Sequence, residues 1–136
     1  MMVKRLLVLL PMALLFARCD APMGPKEVGL NEVFDINVGQ ETMVRDEALN
    51  VVFEGVPEDT RCPVDVECAW EGNAKVAVRL EKDGEAGRIE LNTHSGPQEG
   101  EFMGYTIRLV DLKPDQDTRR TIPPDAYVAK LVVTKR

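Results

Sequence analysis

From Ala74 to Glu81 the chain places Ala74, Val76, Val78 and Leu80 on one side of an extended backbone, with Lys75, Ala77, Arg79 and Glu81 on the other. An apolar period of two fits a strand in an antiparallel sheet with one face on the core and one in water. The alternation recurs at Phe34, Ile36 and Val38, and at Leu49, Val51 and Phe53. It returns at Ile89, Leu91 and Thr93, at Tyr105, Ile107 and Leu109, and at Tyr127, Ala129, Leu131 and Val133. No helical apolar stripe of useful length interrupts these runs. About six or seven short strands separated by Gly/Pro/Asp loops predict an all-β fold. The expected architecture is a single antiparallel β-sandwich, Ig-like, with an open barrel as the alternative. Lys82-Asp83-Gly84-Glu85-Ala86-Gly87 supplies a turn, its glycines suited to positive φ. Three connections exceed what hairpins need: Pro57 to Asn73, His94 to Gly100, and Lys113 to Ala126. In sandwiches such loops gather at the two ends and carry function.

The first residues follow a different rule. Lys4 and Arg5 precede an apolar run from Leu6 to Phe16 broken only by Pro11. That run is too short to cross a bilayer core of roughly 30 Å as a helix, and it has the proportions of a secretory signal. Residues 1–18 are therefore expected to be a signal peptide. Phe16-Ala17-Arg18-Cys19 resembles the lipobox of bacterial lipoproteins, in which the cysteine is lipid-modified and begins the mature chain. Arg18 departs from the small residue of that pattern, and ordinary cleavage after Ala21 is the competing reading. Cysteine arithmetic favours the lipid: three cysteines in an exported chain leave one unpaired, and a thioether at Cys19 removes the leftover. Residues 19–28, with two prolines and a glycine, read as a tether, and residues 29–136 as one β domain. The implied location is the bacterial cell envelope, with the membrane as a partner through Cys19.

Charge narrows the partners. Loss of Lys4, Arg5 and Arg18 with the signal leaves 14 basic residues against 23 acidic ones, a net charge of −9 in place of −6. Phosphate backbones demand a basic patch, so nucleic acid is not expected. The remaining partner is an unknown protein or a small ligand.

The most unusual stretch is Asp59 to Gly72, Asp-Thr-Arg-Cys-Pro-Val-Asp-Val-Glu-Cys-Ala-Trp-Glu-Gly, which holds two of the three cysteines and the single tryptophan. In an exported chain, Cys62 and Cys68 predict a disulfide. Loop entropy assigns a ring of this size about 2.4 kcal/mol. Zinc is not called for, because one histidine cannot complete a closed site without carboxylates. Thiol redox chemistry uses two intervening residues, not five. Arg61, Pro63, Val64, Asp65, Val66 and Trp70 form the candidate binding loop. Trp70 is expected to cover the disulfide and plug one end of the sandwich, the alternative being an exposed anchor for a partner. Arg61 is expected to pair with Asp59 or to bond loop carbonyls, the alternative being a specificity residue on a projecting loop. Gly72 is expected at positive φ.

Asp59-Thr60-Arg61-Cys62-Pro63, with Val66, Cys68, Trp70 and Gly72, resembles a motif of small bacterial secreted proteins and lipoproteins. Those proteins continue into an alternating strand, as here at Ala74, and carry a Gly-Tyr-x-Ile-x-Leu strand echoed by Gly104 to Leu109 with Pro114 beyond it. The resemblance implies export and a β fold, and it carries no activity.

Catalytic constellations are sparse. The only histidine, His94, is followed by the only serine, Ser95. Neighbours in an extended segment diverge and do not make a nucleophile–base pair. Asp115 and Asp117 have the alternate spacing of a Ca²⁺ loop without its glycine and distal glutamate, and a solvated acidic loop is the expectation. No metal or cofactor is called for. The expected function is a non-catalytic binding module tethered at the membrane. The alternatives are an accessory subunit of an envelope assembly, or an inhibitor of an exported protease or lytic enzyme that inserts Arg61 to Val66.

Overall fold

A computed structural model describes residues 26–136. The signal segment, Cys19 and the tether up to residue 25 lie outside the described residues. The described chain is all β: β1 (Lys26–Val28), β2 (Val33–Asn37), β3 (Glu41–Val44), β4 (Leu49–Asp59), β5 (Ala74–Lys82), β6 (Glu85–Asn92), β7 (Glu99–Phe102), β8 (Tyr105–Lys113) and β9 (Val128–Lys135). One sheet has the order β1-β3-β4-β5-β6 and the other β2-β9-β8-β7. They form an open sandwich, not a closed barrel.

The alternation read from sequence becomes the inner face. Val76, Val78 and Leu80 of β5 and Val51 and Phe53 of β4 are fully buried, against Ile36, Ile107, Leu131 and Val133 of the facing sheet. Each side chain of this kind contributes about 1.5–3 kcal/mol on burial. Ala77, expected on the wet face, is buried as well. It lies opposite Gly55, where the β4–β5 register shifts, beside Val38, Val56 and Pro124.

Three strands exceed the sequence reading. β1 falls within the expected tether, and its Val28 is buried in the core, so Lys26–Val28 belong to the β domain and not to the tether. β1 also pairs in parallel with β3, the one departure from antiparallel pairing among the described strands. β3 is short and turns a polar Thr42 inward. β7 buries no residue fully and is set by its partner β8.

The two ends of the sandwich differ. At one end tight turns close the hairpins: β5 and β6 are joined at Asp83 and Gly84, with φ of 51° and 78°, as a two-residue type I′ turn requires. The Tyr105 hydroxyl donates to Glu47 there, and Lys135 Nζ lies 3.1 Å from the same carboxylate. The hydrogen bond to Glu47, with burial, pushes Tyr105 up to about 12. At the opposite end lie the far ends of β4, β6 and β8 and the starts of β5, β7 and β9. All three long loops meet there.

Candidate functional site

The loop end is built outward from its root. β4 runs through its register shifts to Asp59, which pairs with Ala74. Beyond it the Thr60 amide donates to the Asn73 carbonyl at 2.7 Å, and the Cys62 amide donates to Glu71 at 2.9 Å. The two limbs of the loop thus leave the sheet side by side. Gly72 permits this: its φ is +68°, and a Cβ there would lie 1.8 Å from the Thr60 carbonyl oxygen. No side chain fits that space.

Arg61 turns inward. Its Nε and Nη2 grip the two oxygens of Asp59 at 2.9 and 2.8 Å, while Nη1 and Nη2 donate to the carbonyls of Leu112 and Pro114 at 2.9 and 2.8 Å. One planar guanidinium, with donors in a fixed fork, therefore bolts the end of β4 to the end of β8 across the sandwich. The Tyr127 hydroxyl completes the brace, donating to Asp59 Oδ2 at 2.9 Å. Burial works against the Asp59 charge, but the bonds from Arg61 and Tyr127 outweigh it and hold the carboxyl below its usual range. Burial, then the bond to Asp59, pushes the Tyr127 phenol up to about 12. Both proposed uses of Arg61 as a structural residue, pairing with Asp59 and bonding carbonyls, are realised together. With only 13% of its side chain exposed, Arg61 does not project; of the segment Arg61 to Val66, the residues in water are Val64, Asp65 and Val66.

Asn73 ties in the second loop. Its amide nitrogen donates to Asn92 at 2.9 Å, and its oxygen accepts from the backbone amides of His94 and Ser95, each at 3.0 Å. The third loop is held by the ring itself. Val64 N donates to Gln116 O at 2.8 Å, and Asp65 accepts from both the amide and the hydroxyl of Thr118. Those two donors hold the Asp65 carboxyl below its usual range. Asp115 and Asp117 are each taken by a separate cation: Asp115 pairs with Lys113, and Asp117 is gripped by Arg119. That grip holds Asp117 well below the carboxylate range. Among the described residues, no three His, Cys, Asp or Glu side chains cluster as metal ligands. His94 Nδ1 meets Glu71 Oε2 at 2.8 Å.

The ring is closed by the Cys62–Cys68 disulfide, with Cα atoms 6.0 Å apart. Pro63 lies half-buried in it, while Val64, Asp65 and Val66 face water. Trp70 overturns the expectation of a lid. Its residue surface is 83% exposed, the highest among the exposed large apolar side chains. The sandwich end needs no aromatic plug, because the Arg61–Asp59–Tyr127 brace already occupies it. Trp70 instead borders an open groove of about 850 Å³, walled by Glu58 and Lys75 on the strand side and by Glu71, His94 and Ser95 on the loop side. No family model, curated protein or solved structure matches the chain.

The sequence reading missed Tyr127 as a hydroxyl donor, having placed it only by its strand period. It also missed Asn73 and Asn92, whose pairing spans two loops. Nothing in a linear sequence places Tyr127 beside Asp59.

Proposed function

We propose that this domain is a non-catalytic binding module that docks a partner protein on the loop made by its disulfide ring and the Trp70 that follows it. The single observation that carries the reading is Trp70, exposed two residues beyond the Cys62–Cys68 ring in a loop whose root is fixed. Isolated apolar side chains at a surface are ordinary, but a tryptophan left in water in a braced loop is of a residue type enriched among interface anchors. Val64 and Val66, inside the ring, add exposed apolar surface to the same loop. The disulfide, the Gly72 turn and the Arg61 bolt hold the tip in one shape before a partner arrives, which lowers the ordering entropy of association. The module works as part of an exported chain tethered to the envelope membrane at Cys19, a reading that rests on the signal-like N-terminus and the lipobox resemblance.

Two experiments test this. Affinity capture from the source cells with the full chain should retain a stoichiometric partner, and Trp70→Ala should lose it; retention by the variant defeats the docking reading. Replacing Cys19 by serine should release the protein from the membrane fraction. A protein that stays membrane-bound after that change is anchored in some other way.

A further inference from the structure

We infer that the groove beside Trp70 receives a lysine or arginine side chain, so that the docking segment of the partner is basic. This rests on the reading of the tip as a docking surface and adds the chemistry of what docks. The exposed indole offers a π face, and among aromatic side chains tryptophan attracts a cation most strongly. Carboxylates stand on both walls of the same groove, Glu58 and Glu71, the second adjacent to Trp70 in sequence. Each is matched only by a partner that remains in water: Glu58 by Lys75 at 3.4 Å, and Glu71 by His94 at 2.8 Å, with all four side chains at least 42% exposed. Exposed pairs of this kind hold together weakly, so an incoming guanidinium or ammonium can take over either carboxylate.

The disulfide loop that borders the groove is acidic throughout. The segment 62–72 contains Asp65, Glu67 and Glu71 and no lysine or arginine. Asp65 is satisfied by the neutral donors of Thr118, which leave its charge in place. The basic groups of this end are mostly paired: Lys75 on the groove wall with Glu58, Arg61 with Asp59, Lys113 with Asp115, Arg119 with Asp117 and His94 with Glu71, with Arg120 left over. A cationic segment is drawn to such a surface and an anionic one repelled.

Because Trp70 is the only tryptophan, its emission reports on this site alone. The probes are three short synthetic peptides of one sequence, differing only in two central residues: arginine, glutamine or glutamate, each pair flanked by leucine. The arginine peptide should shift Trp70 emission, and its affinity should fall at least about fivefold as salt rises from roughly 50 to 300 mM. Glu58→Gln and Glu71→Gln should each weaken it roughly two- to fivefold. If the glutamine peptide binds as tightly and without salt dependence, the inference is overturned while the tip remains a docking surface. If no peptide shifts Trp70 but partner capture still requires it, the groove is not the receiving site. If capture is also indifferent to Trp70→Ala, the docking reading falls with it.

Discussion

At the root of the 59–73 segment the side chains of Asp59 and Arg61 keep 6% and 13% of their surface in water; just beyond its disulfide ring the Trp70 residue keeps 83%. The two regions are separated by only a few residues and are made by opposite means. The root spends nearly every polar atom on the fold: a bidentate ion pair, two cross-sheet carbonyls, a phenol and paired backbone limbs. The tip is held by one disulfide and a few bonds to the neighbouring loop, and leaves its largest apolar side chain outside. A segment that looked like one functional unit is therefore two. Its charged residues nearest β4 are structural, and its aromatic residue is free. Substitutions should separate the two halves.

The largest effect belongs to Gly72. Gly72→Ala drives a Cβ into the Thr60 carbonyl and should cost about 4 kcal/mol or prevent folding, since both sides of the clash are backbone. Expression with a thermal melt will show it. Arg61→Ala removes the cation from a buried carboxylate and should cost about 3 kcal/mol in urea unfolding. Arg61→Lys should recover little of that, because an ammonium cannot span Asp59, Leu112 and Pro114 together. Cys62→Ser with Cys68→Ser should cost about 2.4 kcal/mol, and reduction of the native protein should lower its melting temperature to match.

Smaller still is the pH dependence of the brace. Asp59 titrates below its ordinary value when folded, so its stabilisation is complete above the unfolded value of about 4 and is lost as pH falls through the lower folded one. Asp117, Asp65 and Glu47, also held low, share this acid limb, and in Arg61→Ala the Asp59 share should shrink. Tyr127 is raised to about 12. Its contribution is whole below the unfolded value of about 10 and disappears as pH climbs through the folded one. Tyr127→Phe should flatten the alkaline limb of a stability-against-pH curve, leaving the portion that belongs to Tyr105.

The sandwich was legible because burial of one sheet face writes a period of two directly into the chain, as at Ala74 to Leu80. β3 and β7 were not legible, because four residues with Thr42 inward, or with Glu99 and Glu101 outward, carry no such period. The disulfide and the positive φ of Gly72 could be read from local spacing and residue type. Arg61's partners were half readable: Asp59 is two residues away, whereas Leu112 and Pro114 are separated from it by the whole middle of the chain. The position of Trp70 was misjudged for a related reason. A large aromatic beside a disulfide is ordinarily drawn inward by the area it can bury, but the space it would have filled is taken by Arg61 and Tyr127, which arrive from elsewhere in the sequence.

The smallest stability effect tests the division most directly. Equilibrium urea unfolding of Trp70→Ala, beside the native chain, should give the same midpoint and slope to within about 0.5 kcal/mol, as for a surface side chain with no structural partner. A loss as large as that of the disulfide would mean the indole packs into the fold, and the separation of a structural root from a free tip would be wrong.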